Sequence, residues 1–173
     1  MPTRIIIDGY NLIRQSPALR RHDAEDVARG REKLIAMLSS YRALKPSPMT
    51  VVFDGWEAGE LSERHFREKG IDVIYSRRGE KADEVIKRLV SQTQDAVIVV
   101  TSDSGIAHFC KGRRCEVIPS PLFEEKVAFA RYADQKGGME NEEPLLPRTT
   151  RKKGPSKKLP KAKRRQLESL KKL

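Results

Sequence analysis

The sequence predicts an α/β fold, a three-layer α/β/α Rossmann-like sandwich around a mostly parallel sheet of about five strands. Three observations carry that prediction. Short apolar runs recur along the chain, at "RIIID" (4–8), "MTVVFDG" (49–55), "IDVIYS" (71–76), "AVIVVTSD" (96–103) and "CEVIPS" (115–120). Runs of this kind suit strands buried on both faces, as inside a parallel sheet. Stretches with helical spacing lie between them, and alternation of strand and helix implies right-handed crossovers.

Each element follows from local chemistry. In "RIIIDGYNLI" (4–13) three isoleucines run into Asp8, and the chain is expected to turn at once through Gly9-Tyr10-Asn11. "DAEDVARGREKLIAMLSSYRAL" (23–44) spaces Val27, Leu34, Ile35, Leu38 and Tyr41 as one helical face, with acidic residues in its first turn and Gly30 as a blemish. "KPSP" (45–48) ends it before the second strand. "WEAGELSERHFREKG" (56–70) is polar and has no assignable pattern. After the third strand, "ADEVIKRLVSQ" (82–92) puts Val85, Ile86, Leu89 and Val90 on one helical face. "SGIAHFCKG" (104–112) reads as a short helix, and "PLFEEKVAFARYADQK" (121–136) as a last helix opened by Pro121.

The domain is expected to span residues 1–137, followed by an acidic hinge, 138–147, and a basic low-complexity tail, 148–173. The chain has 173 residues and a formal charge of +11. The tail holds twelve Lys/Arg against one acidic residue, Glu168, which accounts for the whole excess. Such a run reads as a disordered arm for a polyanion, with nucleic acid favoured over acidic membrane or plain solubility. No apolar run approaches the ~20 residues of a membrane span, and "III" is too short for a signal-peptide core. The expectation is a soluble, cytosolic protein. Cys110 and Cys115 match no zinc spacing and read as two small, partly buried side chains. His22, His65 and His108 are scattered and read as surface or helix-end residues.

The carboxylates carry the chemistry. Asp8, Asp54 and Asp103 end the first, second and fourth strands, while Asp83 and Glu84 open the helix after the third. In a parallel sheet all of them fall on the carboxyl edge, where open α/β folds bind ligands. Each alone can be a turn former or a helix cap. Together they would repel, and a hard divalent cation such as Mg²⁺ or Mn²⁺ relieves that repulsion. Such a cation polarises a phosphoryl oxygen and makes hydroxide from a bound water. Asn11, Ser102 and Ser104 can hydrogen-bond a phosphate or a bound water. Gly9, Gly55 and Gly105 would let the backbone approach a phosphate closely.

"IIIDGYNLI", "VVFDG", "GEKADEVI" and "VVTSDSGI", in this order and spacing, resemble the NYN domain of the YacP-like group, within the PIN-like nuclease superfamily. The resemblance covers roughly residues 3 to 135. It implies a Rossmann-like sandwich, a Mg²⁺ or Mn²⁺ site and RNA as substrate. Asp8, Asp83 and Asp103 match the family's metal ligands, and Asn11 its polar residue after the first strand. Asp54 matches the "FD" motif and is carried over as a catalytic residue, with Glu84 as a supplement.

The function expected is a metal-dependent endoribonuclease that hydrolyses phosphodiester bonds, with no histidine acting as base. Arg14, Arg77, Arg78 and Lys81 would steer the RNA backbone, against the alternative of ordinary solvated charge. Trp56 either stacks on an unpaired base or caps the core. The tail would aid binding to RNA, which a ribosome can present. The rival reading is a non-catalytic RNA- or ribosome-binding module on the same fold. A Walker loop is absent, as is a second aspartate two residues after Asp8, which argues against other phosphotransfer enzymes.

Overall fold

The computed structural model of the chain describes residues 3–55 and 61–137. Trp56, the hinge 138–147 and the tail 148–173 lie outside the described residues. Within them the order is β1 (Arg4–Asp8), α1 (Gly9–Gln15), α2 (Pro17–Glu25), α3 (Val27–Leu44), β2 (Met49–Phe53), β3 (Arg64–Glu68) and β4 (Ile71–Tyr75). The chain continues through α4 (Ala82–Gln92), β5 (Val97–Val100), α5 (Ser104–Cys110), β6 (Cys115–Ile118) and α6 (Ser120–Gly137).

The six strands form one sheet in the order β3-β4-β2-β1-β5-β6. All pairings are parallel except that of β3 with β4, which is antiparallel. β1 lies at the centre, flanked by β2 and β5, with Asp8 opposite Val52 and Ile7 opposite both Val51 and Val100. Its three isoleucines divide between the two cores. Ile5 and Ile7 pack with Leu12, Leu34, Leu38 and Phe123, from α1, α3 and α6. Ile6 packs with Val85, Ile86 and Ile106, from α4 and α5. Each such side chain contributes roughly 1.5–3 kcal/mol on burial, so a continuous apolar run is what a central strand needs.

Three expectations are corrected. The sheet has six strands rather than about five, because the unassigned stretch 56–70 contains β3. The strand "RHFRE" is almost wholly exposed and sits at the sheet edge, so burial left no apolar pattern in it. Next, the turn expected after Asp8 is the first turn of α1, which Asp8 caps through its Oδ1 and the Asn11 N–H (3.3 Å). Lastly, the single helix expected over 23–44 is two. Asp26 adopts extended backbone and accepts the Ala28 N–H at 2.9 Å, capping α3, so the acidic residues before it end α2 instead. Gly30 is where α2 meets α3: a Cβ there would stand 2.8 Å from Asp23 Oδ1.

Among the described residues no helix is long and apolar enough to cross a membrane.

Candidate active site

Because β1, β2, β4 and β5 run parallel, the segments after them all emerge at one edge. Asp8 is the last residue of β1, and Asp54 follows β2 directly. Asp83 is the second residue of α4, and Asp103 follows β5 and caps α5. The carboxyl edge therefore carries all four aspartates expected there.

The closest link joins Asp8 to Asp103. Thr101, buried at the end of β5, donates its hydroxyl to Asp8 Oδ2 (3.1 Å) and accepts the backbone N–H of Asp103 (3.1 Å). Asp8 Oδ1 meanwhile caps α1, and Asp103 Oδ1 accepts the Ile106 N–H at 2.9 Å to cap α5. Capping and site formation thus coincide, since each helix starts from a carboxylate at the sheet edge. Burial pushes the Asp8 carboxyl above its ordinary value, and the negative charge of Asp103 adds to this. The bonds from Asn11 and Thr101, with the nearby charge of Arg14, oppose the shift.

Asp83 reaches the same cluster through Lys87, one helical turn later. Lys87 Nζ lies 2.9 Å from Asp83 Oδ2. That hydrogen bond, and after it the charges of Asp83, Asp103 and Glu84, raise the Lys87 amine. Asp83 Oδ1 is buried and has no hydrogen-bond partner among the described residues. Glu84 is exposed and turns its carboxylate back to the Lys81 N–H (3.3 Å), closing the start of α4.

Asn11 works as a clamp. Its Oδ1 accepts from the Ser102 N–H (2.9 Å), the Ser120 hydroxyl (2.7 Å) and Gln15 Nε2 (3.2 Å). The Ser102 N–H can only donate, which fixes the carbonyl oxygen toward it and leaves the Nδ2 donors for a ligand. Ser102 gives its own hydroxyl to Gln15 (2.9 Å) and accepts from the Ser120 N–H (3.2 Å). Ser104 is exposed at the first position of α5.

The expected basic residues divide. Arg77 pairs with Glu80 at 3.5 Å, and Lys81 is the residue before α4. Arg78 is exposed in the same loop. Arg14 lies over the Tyr10 ring, 5.5 Å from its centroid. Arg31 was not anticipated from sequence. It bonds the Tyr10 hydroxyl (2.9 Å) and lies 5.7 Å over Tyr75, with no carboxylate among the described residues in salt-bridge contact. Arg14 and Arg31 thus flank one ring, two residues beyond Asp8. That ring packs edge-on against Phe53 (5.2 Å), which stacks on Tyr75 (5.5 Å).

Thr101 and Lys87 were also missed, although signals existed. Thr101 precedes "SD" at a strand end, and Lys87 stands four residues after Asp83.

Among the described residues no three His, Cys, Asp or Glu side chains are grouped to hold a metal. Two features of the donor set suit a hard cation. Asp83 keeps an unpartnered buried oxygen, and Asp8 and Asp103 repel across Thr101. Mg²⁺ needs only one or two carboxylates, completing its shell with water and substrate phosphate. The residues fit a water-rich site of that type and do not fit a closed cage of protein ligands.

Comparisons with known proteins agree with the architecture. A sequence profile described as the YacP-like NYN domain matches residues 5–172. The uncharacterized protein YacP of Bacillus subtilis (strain 168) is 28% identical over 102 residues, covering 57% of this chain and 59% of that protein. The match thus spans about three fifths of that relative's length. The crystal structure of Rae1 (YacP) from Bacillus subtilis superposes with a TM-score of 0.64 at 23% identity, covering 80% of each chain. A single-residue mutant of it gives 0.67 at 22% identity, covering 78% of this chain and 80% of that one. At these identities the structures establish likeness of fold.

Proposed function

This chain belongs to the YacP-like NYN domain family, and from that premise we propose that it is a metal-dependent endoribonuclease working at the carboxyl edge of the sheet. The observation that carries the reading is the Asp8–Thr101–Asp103 link. A buried threonine ties the Asp8 carboxylate to the backbone of Asp103, at a cost that burial and the Asp103 charge impose on Asp8. A carboxylate perturbed in this way beside a second acidic residue characterises functional sites more than structural ones. The likeness of the NYN group to PIN-like nucleases supports the same class of chemistry.

Of Asp8, Asp83 and Asp103, one or two would bind Mg²⁺ or Mn²⁺ directly, and the remainder would act through its water shell. The cation, when bound, supplies Lewis-acid charge at the phosphoryl group undergoing hydrolysis. The chain's own residues position the substrate. Thr101 orients the Asp8 carboxylate and fixes the backbone at Asp103, and the clamp at Asn11 keeps the β5–α5 loop against α1 while its amide donors meet a phosphate oxygen. Arg14 and Arg31 hold the RNA backbone beside Tyr10, where their charges add to each other and favour an anion. Lys87 holds Asp83 in place and supplies a positive charge beside it. Asp54 contributes from the end of β2. The tail, 148–173, supplies sequence-independent attraction to RNA, free or presented on a ribosome.

The test is cleavage of a mixed cellular RNA pool with Mg²⁺, with Mn²⁺ and with chelator, in the presence and absence of ribosomes, beside Asp103→Asn. The expected result is metal-dependent cutting that is lost in the variant. RNA binding without cutting in every arm would refute catalysis and leave a binding module.

A further inference from the structure

Cys110 and Cys115 are the chain's two cysteines, and neither takes part in the site described above. Cys110 ends α5 and Cys115 begins β6, so a four-residue turn, Lys111 to Arg114, separates them. The turn is closed by backbone bonds from Lys111 N–H to His108 (3.2 Å) and from Arg113 N–H to Cys110 (3.1 Å). Gly112 takes the left-handed conformation it needs, at φ 78°. The Arg113 guanidinium lies over the Phe109 ring at 3.9 Å and donates to the Phe109 carbonyl. These contacts bring the two buried sulfurs to 2.6 Å from each other. That is well inside the contact distance of two thiols and close to the ~2.05 Å of a bonded pair.

We propose that Cys110 and Cys115 form a reversible disulfide, making the α5–β6 turn a thiol–disulfide modification site. The co-reactant is a low-molecular-weight disulfide. Cys110 loses its proton to solvent, and its thiolate attacks one sulfur of that disulfide and expels one small thiolate. Cys115 then loses its proton, attacks the Cys110 sulfur and expels the second. The chain gives up two electrons, and the small disulfide is reduced to two thiols. Cys110 is the first nucleophile because Cys115 donates its S–H to it. That bond lowers the Cys110 thiol and raises Cys115. The intervening turn is exposed throughout, so exchange proceeds by local opening there. The bond would fasten the far end of the helix that Asp103 starts.

The experiment equilibrates the full chain in mixtures of reduced and oxidised glutathione with chelator, folded and in urea, followed by alkylation and intact-mass measurement. The expected product is a monomer two hydrogens lighter that takes no alkyl group. The folded chain should reach it at an oxidised fraction at least about tenfold lower than the unfolded chain, because the fold supplies the approach of the sulfurs. Two alkylatable thiols across the series would overturn the proposal. So would a glutathione adduct without an internal bond, a disulfide-linked dimer, or closure no easier folded than unfolded. The readout does not depend on nuclease activity, so it stands or falls apart from the proposed function.

Discussion

Replacing Thr101 by valine keeps its shape and removes the hydroxyl that joins Asp8 to Asp103. Two bonds are lost, one to the Asp8 carboxylate and one from the Asp103 N–H, each 3.1 Å. A hydrogen bond to a charged group is worth about 1.5–3 kcal/mol, and an orphaned donor costs about 1–3 kcal/mol. Asp103 is exposed and water can reach its N–H, so the lower figure applies there. The expected destabilisation at neutral pH is about 2–4 kcal/mol. The pH dependence has a definite sign. Burial already holds the folded-state pKa of Asp8 above its unfolded value of 3.8, and the Thr101 bond opposes that shift. Valine raises the folded value further, so the folded variant binds more protons and its stability falls faster as pH rises from about the unfolded value through the folded one. Below that window Asp8 is neutral in both states, and the difference shrinks toward the ~0.5–1.5 kcal/mol of an ordinary hydrogen bond. Urea unfolding in chelator, from roughly pH 3.5 to roughly pH 7.5, measures it. Thr101→Ser, which keeps the hydroxyl, serves as the control. A change under about 0.5 kcal/mol at neutral pH, or one that does not shrink in acid, would refute the bridge.

Four further outcomes are expected. Asp8→Asn should be more stable than the wild type at neutral pH without metal, because the burial cost of the charge is gone, and the gain should fade in acid below the unfolded carboxyl value. Mg²⁺ or Mn²⁺ should raise the melting temperature of the wild type but not of this variant, and an equal rise in both would remove Asp8 from the ligand set. Gly9→Ala puts a methyl 2.3 Å from the Phe53 ring and 3.0 Å from the Val52 carbonyl. With that ring held between Tyr10 and Tyr75, a loss of about 1–3 kcal/mol in urea unfolding should follow; an unchanged midpoint would show that the ring yields. Deleting residues 148–173 should flatten the salt dependence of RNA binding by a log–log slope of roughly 4, if six tail cations meet single-stranded phosphates. An unchanged slope would show that the tail does not bind RNA.

The fold class was legible because central strands are buried on two faces, and the isoleucines of β1 record both. β3 left no such record, since an exposed edge strand needs only backbone pairing with β4. The α2–α3 break was harder to see because Asp26 can serve a helix interior or a cap. In the structure Asp26 takes the cap, with extended backbone and the Ala28 N–H on its carboxylate, and Gly30 leaves room for Asp23 where the two helices meet.

The aspartates show a similar division. Their positions after strands follow from the order of residues alone, as does the edge on which they emerge. Sequence by itself therefore determined the layered sheet, its direction and the gathering of acid at one end. Only the tertiary structure decided which groups engage one another. Asp8 and Thr101 are 93 positions apart in the chain, and Asn11 and Ser102 are 91 apart. Arg31 and Tyr10 meet only because α3 packs beside α1. Periodicity reports the side of an element that is buried, since burial is repeated along it and leaves a mark in composition. A hydrogen bond between distant segments involves one atom on each side and depends on sub-ångström placement, so nothing in the spacing of residues records it.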